Sequence, residues 1–157
     1  MEKQYRLLYP MGVYLIGSSY AGKDNVMSAA WCFPLSIEPP LFGVSVGKGR
    51  FSYGMIDKSR EFVINIPSET MKDAVLICGK NSGADSDKFA LAKITKEKSK
   101  KVTTPSIAES MVSIECKVVD SKEAGDHVLF IGKPVNITRR KQGKRIMQTE
   151  EGELMVY

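Results

Sequence analysis

Histidine is almost missing from this chain, and the single one, His127, excludes any multi-histidine metal centre. No carboxylate shares a motif spacing with it, so paired acid–base catalysis has little to build on. Cysteine is scarce too. Cys32, Cys78 and Cys116 are odd in number and widely spaced, which excludes a disulfide framework and a C-x-x-C metal knuckle and fits a reducing cytoplasm. No apolar run approaches the ~20 residues of a spanning helix, and the start M-E-K-Q-Y-R has no apolar stretch of a leader behind it. Repeats and low-complexity linkers are absent. The expectation is one soluble, cytoplasmic domain over residues 1–157, with no membrane partner and a core that stands without staples.

What is plentiful is positive charge, with a net +5 and an isoelectric point near 9.1. It falls in two clusters, one of Lys93, Lys96, Lys98, Lys100 and Lys101, the other of Arg139, Arg140, Lys141, Lys144 and Arg145. Neither has interleaved aromatics for base stacking, which argues against a nucleic-acid groove. Solvated loops, or attraction for a small anion or an acidic partner protein, are the readings left.

Apolar patterning predicts strands over Val13–Ser18, Val26–Phe33, Leu41–Gly47, Phe62–Ile66, Val112–Val119 and Val128–Ile137, with a weaker one near Leu154 and Val156. Turns are expected at Ser19–Asp24 and Asp120–Asp126. Short helices are expected from Ser52 as N-cap to Ser59, from Ser68 to a C′ glycine at Gly79, and near Lys88 with Asp85 or Ser86 as cap. Strands that do not alternate with helices indicate a mainly β, antiparallel, closed or nearly closed barrel with helical inserts.

One motif is a decoy. Gly17 to Asp24 has the spacing of a nucleotide-triphosphate loop, but Asp24 replaces the hydroxyl that such a loop offers to magnesium, and strand follows where a helix should open.

The stretch Asn25 to Tyr53 carries more. In Asn25-V-M-S-A-A-W-C32, the small residues Ser28, Ala29 and Ala30 let a planar ring approach backbone, while Trp31 by itself reads as core. In Gly47-K-G-R-F-S-Y53, glycines, Lys48, Arg50 and hydroxyls stand at a helix start, the combination that seats a phosphate. A plain polar turn has the same composition. Cys32 alone reads as a buried apolar thiol, nothing in the sequence places it beside His127, and His127 alone fits a structural hairpin end equally well.

Taken in order, G-K-D-N-V-M-S-A-A-W-C, S-I-E-P-P-L-F-G-V-S-V-G-K-G-R-F-S-Y, E-F-V-I-N-I-P-S, A-V-L-I-C-G-K-N-S-G-A-D-S-D-K-F, I-E-C-K-V-V-D and G-D-H-V-L-F-I-G resemble the flavin-reductase-like FMN-binding split-barrel family. Within it the chain looks most like the branch of flavoredoxin and the archaeal ferric reductases. The resemblance implies an antiparallel split β-barrel that forms a homodimer with FMN near the subunit interface. It sets Asn25, Val26, Met27, Ser28, Ala30, Trp31 and Cys32 against the flavin ring, and Ser45, Val46, Gly47, Lys48, Arg50, Ser52 and Tyr53 around its phosphate. Lys88 and Phe89 also approach the flavin, Lys88 as the cation that stabilises its reduced form, and His127 and Cys32 stand as catalytic candidates. The function implied is an FMN-dependent flavin or ferric reductase using NADH or NADPH. A flavoredoxin-like carrier reduced by a redox protein and a non-catalytic flavin-binding module are the alternatives.

Overall fold

The computed structural model describes residues 3–157. A 3₁₀ turn (Gln4–Leu8) and a two-residue strand β1 (Met11–Gly12) lead into a hairpin of β2 (Tyr14–Tyr20) and β3 (Lys23–Ala29). Its turn is only Ala21 and Gly22, both at positive φ, the two-residue geometry that matches strand twist. The longer turn expected over Ser19–Asp24 is corrected, because Ser19 and Asp24 are cross-strand partners joined by a 2.8 Å side-chain hydrogen bond. Gly17 and Lys23 therefore lie on different strands, and the phosphate-loop look-alike is a hairpin.

Strands β4 (Cys32–Ser36) and β5 (Leu41–Gly47), helix α1 (Phe51–Ser59) and strand β6 (Glu61–Ile66) follow. Next come a 3₁₀ turn (Glu69–Met71), α2 (Lys72–Lys80), α3 (Lys88–Ala92), and two short strands, β7 (Lys96–Glu97) and β8 (Ser106–Ile107). A long hairpin of β9 (Val112–Ala124) and β10 (His127–Arg139) precedes β11 (Ile146–Gln148) and β12 (Leu154–Val156). Seven strands form one antiparallel sheet in the order β3-β2-β6-β9-β10-β5-β4. Its two edges, β3 and β4, are consecutive in the chain and joined only by Ala30 and Trp31. That link spans at most about 11 Å. The sheet must therefore curl until its edges meet, which makes a barrel with one unbonded seam.

Ile16, Val44, Val46, Phe62, Ile64, Cys116 and Phe130 fill the interior, and Ile56 of α1 joins them. A second cluster covers the outer face of β2 and β3, where Leu15 and Val26 meet Val75 and Cys78 of α2 and Phe89 of α3. β11 pairs with β1 and β12, so the two ends of the chain share a small sheet.

Three local expectations are corrected. Arg50, not Ser52, is the N-cap of α1, because the Ser52 hydroxyl is buried against Asn25. Gly79 lies inside α2, and Asp87 rather than Asp85 or Ser86 caps α3 by accepting from the Ala90 N–H at 3.2 Å. The β9–β10 turn shrinks to Gly125 and Asp126, since Ser121 to Ala124 pair backbone to backbone with His127 to Phe130 of β10.

Candidate functional site

A cavity of about 650 Å³ opens beside the seam. Strand β3 supplies one wall through Asn25, Met27, Ser28 and Ala29, continued by Ala30 and Trp31. Ser45 and Gly47 reach it from β5, while Gly49, Arg50, Phe51 and Ser52 bring the first turn of α1. Cys78 to Gly83 and Lys88 close the side toward α2 and α3, and Asp126 and His127 the side toward β10.

Asn25 holds the centre. Fully enclosed at 2 % exposure, it donates to Ser52 Oγ at 2.9 Å and so ties β3 to α1. The loop after α2 lies so close that a side chain at Gly83 would start 2.3 Å from Asn25 Oδ1 and 2.8 Å from Phe51. Only glycine fits there. Ser28 donates to the Val75 carbonyl at 2.5 Å, which ties α2 to this strand.

Positive charge dominates the deep end. Arg50, Lys80 and Lys88 line the cavity against one carboxylate, Asp126. Helix α1 starts with no side-chain cap, so its first N–H groups are free for an anion, with the helix dipole adding attraction. Lys88 is 5 % exposed and donates to the Cys78 carbonyl at 3.0 Å. Burial pushes its amine below the ordinary lysine value, and repulsion from Arg50 adds to this.

The opposite wall is aromatic. Trp31 and His127 stack at 4.7 Å between ring centroids, and Tyr5 meets Trp31 edge-on at 5.3 Å. His127 Nδ1 is held by Asp126 Oδ1 at 2.7 Å, which leaves Nε2 free over Gly47. That contact keeps the Asp126 carboxyl below its usual range.

Not every residue named from the sequence lies here. Val26 and Phe89 are buried in the outer cluster and Val46 in the barrel, so their side chains point away from the cavity. Tyr53 packs on Phe130 inside the barrel, at 6.0 Å between rings. Lys48 is engaged by Glu123 on the β9–β10 ribbon. Cys32 is a core residue 7 % exposed rather than a lining residue, and burial pushes its thiol up to about 12. Conversely, Tyr5, Tyr9 and Gln148 line the cavity without having been singled out. They come from the two chain ends, where no motif or apolar period marks them. Gly79 to Gly83 was quoted within a matching block, yet its closeness to Asn25 is a property of the fold.

Around one cavity the fold therefore sets a barrel seam, a small-residue wall and an uncapped helix start beside Arg50. The chain belongs to the flavin-reductase-like family: the family model for a flavin reductase like domain matches residues 5–153. An uncharacterised protein of Pyrococcus abyssi is 42% identical over 138 residues, 88% of this chain and 79% of that protein. Among solved structures, a flavoredoxin from Methanosarcina acetivorans superposes with a TM-score of 0.88 at 26% identity, covering 100% of this chain and 90% of that one. An FMN-binding protein from Thermus thermophilus, solved with bound p-hydroxybenzaldehyde, gives 0.87 at 25% identity over 99% of this chain and 91% of its own.

Proposed function

We propose that the cavity binds one FMN per subunit and that the protein is an oxidoreductase of the flavin or ferric reductase type. Electrons would pass from NADH or NADPH through the flavin to a small acceptor. One observation carries this reading: a wall of small residues and an uncapped helix start with Arg50 and Ser52 lie in the same cavity, giving a flat ring and its anionic tail separate seats. The residues present suit the group. The cavity volume falls within the ~300–1,000 Å³ of small-molecule sites. Gly83 leaves room where any side chain would collide, and Lys88 uses one of its three protons on Cys78, leaving two for a ligand.

When bound, FMN supplies the redox chemistry by taking up a hydride or two electrons. The chain's own tasks are positional. Arg50, Ser52 and the first N–H groups of α1 hold the phosphate, Asn25 fixes Ser52, and Lys88 sets positive charge against the ring. His127, oriented through Nδ1, keeps Nε2 ready to hold or deliver a proton at the open side. Tyr5, Tyr9 and Gln148 screen the ring from water.

The family resemblance brings a homodimer with it. Leu8, Ile37 and Tyr157 are 79 %, 93 % and 81 % exposed, apolar surface that a partner subunit would cover. Sedimentation velocity tests this, the expected species being twice the 17.4 kDa chain.

The donor is tested by mixing FMN-loaded protein with NADH or NADPH without oxygen and following flavin absorbance. Bleaching by either supports the reductase. No bleaching by both removes it and leaves a carrier reduced by another protein, a reading that the likeness to a flavoredoxin over the full chain favours as second.

A further inference from the structure

Most of the chain's positive charge has no part in the site above. The segment from Lys93 to Thr104 leaves α3 and crosses the outer face of β6 and β9 as a strap. Five lysines in so short a stretch repel one another and favour a loose loop. The fold instead pins it with two buried carboxylates. Glu115, 1 % exposed, accepts the backbone N–H groups of Lys100 at 2.9 Å and Lys101 at 2.7 Å, and the Asn136 amide at 2.9 Å. Glu61 accepts the Thr104 N–H at 2.8 Å and its hydroxyl at 3.1 Å. Burying carboxylates costs stability, and these two fix the backbone path beneath lysines that stand outward.

The second basic cluster comes to the same face. Arg140 pairs with Glu97 of the strap and donates to Ser113 Oγ at 3.0 Å, drawing the segment 139–145 alongside. Lys93, Lys98, Lys100, Lys101, Lys141 and Lys144 are exposed, and among the described residues none has an ion-pair partner. The face borders the cavity through α3, which starts at Lys88 and is followed by Lys93 as its C-cap. Neither segment contains an aromatic residue for base stacking.

We propose that this pinned basic face is a docking surface for an acidic protein. That the protein carries electrons to or from the cavity rests on the FMN reading; the docking itself does not.

Calorimetric titration with a purified acidic plant-type ferredoxin as probe, at low and high ionic strength, tests it. Lys93→Glu, Lys98→Glu and Lys101→Glu together reverse the face. Lys3→Glu, Lys58→Glu and Lys122→Glu make the same net change away from the strap, on the N-terminal segment, α1 and the far end of β9. The expected result is binding that weakens with salt and a loss of at least ~10-fold in the face variant against less than ~2-fold in the control. Should the triple reversal fail to fold, Lys98→Gln with Lys141→Gln repeats the test, with a smaller loss expected. No binding by the native protein, equal weakening by the control, or tighter face-dependent binding of a mixed-sequence DNA oligonucleotide would each overturn the proposal. Flavin content is measured on the same samples: protein that docks ferredoxin but takes up no FMN sinks the flavin reading alone, and the converse sinks only the docking.

Discussion

At the scale of single residues, the site turns on how little space surrounds Asn25. Its amide is enclosed, hydrogen-bonded to Ser52 and overlaid by the Gly83 backbone, so it has nowhere to retreat. Gly83→Ala is therefore expected to displace the loop after α2 or break the Asn25–Ser52 bond. Overpacking of this kind costs about 1–3 kcal/mol. Urea unfolding should show that loss together with a clear drop in FMN affinity; an unchanged midpoint and affinity would mean that the loop yields freely.

Lys88 gives a pH signature. Its folded amine is held below 10.5, the value of an ordinary lysine, by burial first and Arg50 second. Between the depressed value and 10.5 the unfolded chain therefore binds a proton that the folded chain has released. Stability of the flavin-free protein must rise with pH across that window. Lys88→Met removes this contribution, so native protein should gain on the variant as pH climbs toward 10.5 and run parallel to it below the window. Parallel curves throughout would place Lys88 in a wetter setting than its 5 % exposure implies.

At the scale of elements, much of the barrel is legible in the sequence because β-branched residues mark it. Leu41–Gly47 matches β5 end to end, and Phe62–Ile66 misses β6 by one residue. The alternation within β5 also explains which named residues reach the cavity: Ser45 and Gly47 face it, while Val44 and Val46 face the core. Motif membership covers consecutive positions, but a strand sends alternate side chains to opposite sides. The same rule turns the Val26 side chain into the outer cluster, and Cys32 packs in the core. β9 was read short because its last residues, Asp120 to Ala124, are polar and hold their place through backbone pairing with β10 rather than through an apolar face. The strap was illegible for a different reason: its anchors, Glu61 and Glu115, lie on strands distant in sequence. Glu115→Gln replaces one acceptor oxygen with an N–H donor, which then faces either the Lys100 N–H and the Asn136 amide or the Lys101 N–H. Because hydrogen bonds to a charged group are each worth ~1.5–3 kcal/mol, a loss of that order is expected. Hydrogen exchange should speed at Lys100 and Lys101 while β5 stays protected; unchanged exchange at those two amides would show that the carboxylate does not hold the strap.

At the scale of the whole molecule, closure follows from chain order. Two edge strands joined by Ala30 and Trp31 force the sheet around, and the seam leaves β3 free to present its backbone and small side chains to a ligand. The roof over that seam, Tyr5 and Tyr9 from one chain end and Gln148 from the other, exists only once β1 pairs with β11. Sequence blocks could point to the proposed ring wall and phosphate seat, each being local, but not to a roof assembled from opposite ends.

Everything rests on α1 receiving a phosphate while β3 receives a ring, and the most direct measurement compares two ligands that differ only in that phosphate. FMN and riboflavin are titrated into flavin-free protein and into Arg50→Ala, with quenching of flavin fluorescence as readout. The expected result is FMN binding at least ~10-fold tighter than riboflavin in the native protein, with the difference shrinking in Arg50→Ala while riboflavin binding holds, because a hydrogen-bonded charged contact is worth ~1.5–3 kcal/mol. Equal affinity for the two ligands, or equal losses for both in Arg50→Ala, would contradict the assignment of α1 to the phosphate, and no quenching by either would contradict the flavin site itself.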